Sequence, residues 1–118
     1  MISRLKLGTI AALAVCTLHY TWADAPDRTI EIHAHRYAFM PSEITVKKGE
    51  AVTLKLVSDD VPHSLLVKDL GINQAITKGK PAEVTFTPSK AGVFQGQCGH
   101  FCGSGHGTMA FAVHVTGD

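Results

Sequence analysis

The sequence predicts an all-β domain, an antiparallel two-sheet sandwich or barrel of about seven short strands. Three observations carry that prediction. Apolar residues alternate with polar ones in several short runs, most clearly at Val52, Leu54 and Leu56 against Thr53 and Lys55, which is the pattern of strands buried on one face. Clusters of Gly, Pro, Asp and Lys separate these runs and mark turns. No stretch carries a helical period of useful length, and all-β chains with many short strands close into sandwiches or barrels.

Taken in order, the first strand covers Ile30 to His35, with Ile30, Ile32 and Ala34 on one face and Glu31, His33 and His35 on the other. His33 and His35 have the spacing to grip a surface metal ion, although such a pair is ordinarily the solvated side of a strand. Arg36 to Pro41 turns the chain, anchored by Tyr37, Phe39 and Met40, and Ile44 and Val46 begin a second strand that Lys47-Lys48-Gly49-Glu50 ends. The strand at Val52 to Leu56 runs out at Ser58-Asp59-Asp60-Val61-Pro62, since proline cannot donate to a ladder. His63 follows at the entrance of the next strand, Ser64 to Val67. Residues 68–80 hold Gly71, Asn73 and Gly79 without steady periodicity and read as a long connection. Val84 and Phe86 make a further strand, Pro88 to Gly92 turns into Val93 to Gln97, and Phe111, Val113 and Val115 close the sheet with His114 facing solvent.

At 118 residues and 45% hydrophobic content, the chain is one small domain with a single core. Residues 1–23 read separately, because Arg4 and Lys6 precede an apolar run from Leu7 to Leu18 that ends in polar residues and Ala23. That is the order of a secretory signal, and the run is shorter than the ~20 apolar residues that span a bilayer. Export to the periplasm with cleavage near Ala23 is expected, leaving 24–118 as the mature domain; an uncleaved segment would instead hold the protein at the membrane. Cys16 reads as a buried residue of that signal. Residues 1–23 carry two of the eleven basic residues and none of the ten acidic ones, so the mature charge is −1 with neutral His. Such a balance offers no basic face to nucleic acid.

The chemistry gathers in Cys98 to Met109, where two thiols, His106 and a thioether lie within twelve residues and five of the others are Gly or Ser. Sulfur beside imidazole selects copper or zinc, and a Met ligand points to copper. Cys98 and Cys102 are the only cysteines of the mature domain, so in an oxidising compartment a disulfide is the bland alternative. A mononuclear blue-copper site of two His, one Cys and a weak Met would use His63, His106 and Met109 but leave one thiolate over. A zinc site of two Cys and one His has no use for Met109. A Cys-His nucleophile, with His106 as base to Cys102, leaves the second thiol and the thioether idle. Two copper ions bridged by both thiolates would use every donor, each ion taking one His and one weak axial ligand, Met109 for one and a loop carbonyl for the other.

Asp60-Val61-Pro62-His63-Ser64 together with Gly96-Gln97-Cys98-Gly99-His100-Phe101-Cys102-Gly103-Ser104-Gly105-His106-Gly107-Thr108-Met109 resembles the copper-A domain of cytochrome c oxidase subunit II and, more broadly, the cupredoxins. The resemblance covers about residues 30–116. It implies a cupredoxin Greek-key fold and a binuclear, mixed-valence copper centre that accepts and passes single electrons. By the same resemblance His63 and His106 are the terminal nitrogen ligands, Cys98 and Cys102 the bridging thiolates, Met109 the axial sulfur, and His100 the source of a backbone carbonyl. The chain departs from the family in three ways. His100 stands where a Glu is usual, the mature domain has no Trp and offers only Tyr37 and Phe39 where the family has a Trp-rich patch, and a signal-like segment replaces the anchoring helical hairpin.

The expected protein is therefore a periplasmic electron carrier, exchanging electrons with a redox partner such as cytochrome c, another cupredoxin or a terminal oxidase. It makes and breaks no substrate bond and is not by itself an enzyme. The alternative is a copper chaperone or store that delivers the metal to an oxidase, aided by His33, His35 and His100.

Overall fold

The computed structural model describes residues 28–101 and 103–117, with the backbone but not the side chain of His106. The signal segment 1–23 and Cys102 lie outside the described residues. Among the described residues nine strands form two sheets: β1 Arg28–His35, β2 Ala38–Met40, β3 Glu43–Lys47, β4 Val52–Ser58, β5 His63–Val67, β6 Ile72–Ile76, β7 Ala82–Phe86, β8 Gly92–Cys98 and β9 Ala110–Thr116. Two short 3₁₀ turns, Lys68–Leu70 and His106–Thr108, are the only helical pieces among the described residues.

The first sheet runs β2-β1-β4-β7 and the second β3-β9-β8-β5-β6. The all-β sandwich is thus as the sequence predicts, with two strands more than the periodicity shows. β2 has three residues, too few to display a period. β6 lies inside the expected long connection, where Gln74 interrupts the alternation although Ile72 and Ile76 are both buried. The pairing is also not purely antiparallel, because β1 pairs parallel with β4 and β3 parallel with β9. Parallel neighbours need crossovers between the sheets, so the two sheets are laced together by the chain itself.

The alternation seen in the sequence becomes the core. Val52, Leu54 and Leu56 of β4 and Ile32 and Ala34 of β1 turn inward from the first sheet, meeting Ile44, Val46, Leu65, Val67, Phe111, Val113 and Val115 from the second. Phe39 on the short β2 and Phe111 on β9 meet edge to face, ring centroids 5.7 Å apart, a contact of about 0.5–1.5 kcal/mol beyond the area it buries. It fixes the end of the sandwich at which β8 gives way to the cysteine loop.

On the outer face of β1 the two histidines part company. The His33 ring lies between Asp59 (2.9 Å from Nδ1) and Glu31 (2.7 Å from Nε2), whereas His35 Nδ1 meets the Arg36 carbonyl at 3.0 Å. Both nitrogens of His33 are occupied by carboxylates. His114 is half-exposed, its Nε2 3.8 Å from Glu43.

Candidate metal centre

The first donor is His63, the opening residue of β5. Pro62 ends the preceding segment, and the four residues 59–62 that join β4 to β5 are tied down on every side. The Asp59 amide donates to the Ala34 carbonyl at 2.9 Å. The Ser58 hydroxyl donates to the Val61 carbonyl at 2.5 Å. Asp60 accepts at one carboxylate oxygen from the Arg36 amide (2.7 Å) and at the other from the Val61 amide (2.6 Å) and from Nε2 of His63 (2.7 Å). Burial alone would raise the Asp60 carboxyl, but the Arg36 amide, the His63 ring and the Val61 amide together lower it to about 2. Asp60 is therefore an anion near neutral pH and can only accept, so the proton of His63 resides on Nε2. Nδ1 points the other way, into the protein.

What it points at is Cys98, the last residue of β8, which the register Leu65↔Cys98 sets beside β5. The Cys98 sulfur stands 3.9 Å from His63 Nδ1, and its thiol donates to the His100 carbonyl at 3.1 Å. His63 and Cys98 are each 1% exposed. Met109, also 1% exposed, is brought across from Cys98 by a bond from the Cys98 amide to the Met109 carbonyl at 3.1 Å. That bond closes the neck of the loop 99–108. An imidazole nitrogen, a thiol sulfur and a backbone carbonyl thus meet at one dry end of the sandwich, with the buried Met109 joined to Cys98 through the backbone. Such a set of soft and borderline donors suits copper, and an outer carboxylate that holds the far nitrogen of a ligand His is the usual way such a ring is oriented.

Of the residues the sequence singles out, the structure brings together His63, Cys98 and the carbonyl of His100, with Met109 linked to Cys98 through the backbone. The His100 side chain is exposed and takes no part in the buried cluster. Cys102 and the His106 side chain lie outside the described residues. The rim beside the loop is a shallow groove of about 340 Å³ lined by Arg36, Val61, Pro62, His100, Phe101 and Gly103, with Phe101 75% exposed.

Two residues at the centre escape a reading by sequence. Asp60 sits in a turn, where acidic residues are common, and only its spacing of three from His63 hints at more. Tyr37, in the turn between β1 and β2, lies against the cysteine loop: a β-carbon on Gly103 would stand 2.5 Å from the Tyr37 hydroxyl oxygen, and one on Gly105 would overlap the ring carbons outright. Gly103 also has φ of +139°, a conformation that disfavours any other residue.

The model of the family described as "Cupredoxin-like domain" matches residues 8–110. The chain is similar to a probable cytochrome c oxidase subunit 2 of Rickettsia prowazekii, 30% identical over 89 residues that cover 75% of this chain and 28% of that protein. It is likewise similar to cytochrome c oxidase subunit 2 of Artemia franciscana, 36% identical over 69 residues, 58% of this chain and 30% of that protein. It therefore spans less than a third of the length of either relative. Among solved structures, the periplasmic domain of subunit II of cytochrome oxidase from Bradyrhizobium japonicum superposes with a TM-score of 0.72 over 78% of this chain and 86% of that one, at 22% identity. That likeness is one of fold.

Proposed function

The chain belongs to the cupredoxin-like domain family, and from that premise we propose that it is a periplasmic copper protein of electron transfer with a binuclear, copper-A-type centre. One observation supports the reading most: Nδ1 of His63 faces the Cys98 sulfur at 3.9 Å in a dry pocket, with the proton of the ring held on the opposite side by Asp60. The likeness to oxidase subunit 2 over the shared stretch supports the choice of copper.

In this reading Nδ1 of His63, the imidazole of His106, the thiolates of Cys98 and Cys102, the thioether of Met109 and the carbonyl of His100 hold the metal. Copper bound there supplies a reversible one-electron couple. The protein's part is to keep its donors still. Cys98 ends one strand, Met109 precedes the next, and His63 opens a third, so the sandwich fixes three donors before any metal arrives. Asp60 keeps the His63 ring from turning, with Nδ1 directed at the Cys98 sulfur. Core packing around Cys98 and Met109 excludes water, so little solvent reorganises when charge moves. Loading releases the thiol proton of Cys98, which otherwise engages the His100 carbonyl. The half-apolar rim around Phe101 is where a redox partner, such as cytochrome c, another cupredoxin or a terminal oxidase, would come closest to the donors.

Electron paramagnetic resonance of the copper-loaded protein tests the proposal. An unpaired electron shared by two copper nuclei splits differently from one on a single nucleus. A single-copper spectrum, or metal analysis returning zinc with no copper, would defeat the binuclear reading. Competition with a Cu(I) chelator separates carriage of electrons from delivery of copper, since a carrier retains its metal through redox cycles and a chaperone gives it up.

A further inference from the structure

We propose that Tyr37 is a positioning residue for the metal loop: its ring is the seat on which the two glycines flanking the ligands Cys102 and His106 rest. The proposal rests on the copper-centre reading and adds to it the question of what holds the loop in shape.

Cys98, Met109 and His63 are each fixed by a strand or by the bond at the loop neck. Of the intervening ten residues several are glycine, the residue with most freedom to lose on ordering; Gly99 lies against Ser64 and Leu66 of β5, and Gly103 and Gly105 lie farther along the loop. Something other than intrinsic stiffness must hold them. Gly103 directly follows Cys102 and Gly105 directly precedes His106. One edge of the Tyr37 ring, with its hydroxyl, lies against Gly103 and the other edge against Gly105, both so near that a single added methyl would clash. The ring itself is anchored, being half-buried against the core at the turn between β1 and β2. The same turn supplies the Arg36 amide that binds Asp60. One hairpin tip therefore touches both Asp60, the partner of His63, through Arg36 and the loop glycines Gly103 and Gly105 through Tyr37.

The contact is one of shape, made by ring carbons on bare backbone. The ring should therefore matter more than the hydroxyl, and the absence of side chains at 103 and 105 should matter only while the ring is present. The test uses the full chain as Y37F, Y37A, G105A and the double variant Y37A/G105A, with far-ultraviolet circular dichroism to confirm folding. Amide hydrogen exchange over residues 103–107 is read on metal-free protein, and the rate of copper loss to a chelator and the paramagnetic spectrum are read on copper-loaded protein. Y37F should match the wild type within about twofold. Y37A and G105A should each speed loop exchange and copper loss by about tenfold or more. The double variant should be no worse than Y37A alone, because the added methyl enters the space the ring has left.

Wild-type exchange and copper retention in Y37A would overturn the proposal, as would strictly additive effects of Y37A and G105A. Should Y37A fail to fold, the contrast between Y37F and G105A decides: equal behaviour of those two would also overturn it. If the wild type takes up no copper while the exchange pattern is as expected, the seat stands and the copper-centre reading falls.

Discussion

Replacing Asp60 by Asn tests the account of how the His63 ring is held. Asp60 accepts three hydrogen bonds, from the Arg36 amide, the Val61 amide and His63 Nε2, all at 2.6–2.7 Å. Asparagine keeps the shape but turns one oxygen into a donor. That donor must oppose either Arg36 or the pair Val61 and His63, so at least one bond is lost and two N–H groups confront each other. The carboxyl falls from 3.8 to about 2 in the folded protein, a difference of about 2.5 kcal/mol at 1.36 kcal/mol per unit. A side chain 32% exposed is partly screened, which leaves about 1–2 kcal/mol for the charge. With the opposed donors, D60N should cost about 2 kcal/mol near pH 7, or about 10 °C in Tm for a domain of this size.

The pH dependence has a definite sign. A carboxyl depressed on folding stabilises the native state above its unfolded value of 3.8, and the gain drains away as pH falls from there toward about 2. Urea unfolding of the metal-free protein at a series of pH values, wild type against D60N, measures this. The gap between the two should be full at neutral pH and shrink through the acid range. A gap under about 0.5 kcal/mol at pH 7, or one that stays constant down to pH 3, would refute the reasoning.

Three further expectations concern other residues. Cys98→Ser should reduce the centre to one copper or abolish it, since the buried sulfur beside His63 is lost; metal analysis with paramagnetic resonance reads this, and an unchanged spectrum would contradict the ligand set. His100→Ala should leave copper content and spectrum nearly intact, because its carbonyl faces the cluster while its imidazole is exposed; loss of the metal would mean that the side chain is a ligand. His33 has its pKa raised, chiefly by Asp59 and next by Glu31, so what it adds to stability is fully present below 6.5 and fades as pH rises through its raised value. A wild-type advantage over His33→Gln that grew with pH in denaturation experiments would reverse that sign.

Much of the sandwich was legible because burial imposes period two on any strand with one wet face, as β4 shows from Val52 to Ser58. The two strands that were not legible lack that imprint: β2 is too short to repeat, and β6 puts Gln74 where an apolar residue would complete the alternation. Parallel pairing of β1 with β4 and of β3 with β9 leaves no local trace, since it depends on where the chain crosses between sheets. In the candidate site, Cys98 and Met109 were singled out by donor chemistry and spacing, and His63 by the loop's need for a further nitrogen. Asp60 and Tyr37 were not, because a carboxylate in a turn and an aromatic at a hairpin tip have ordinary uses, and only proximity distinguishes these two.

The register that sets Leu65 beside Cys98 and Leu66 beside Gln97 comprises the whole pairing between β5 and β8, and through it His63 reaches a sulfur 35 positions later in the chain. In the proposed periplasmic setting, the chain has its thiols without their distant imidazole before that short seam forms, and oxidising surroundings favour closing thiols on each other. Maturation then becomes a race between zipping the seam and losing the sulfurs, and the copper content of protein recovered during refolding marks which side has won.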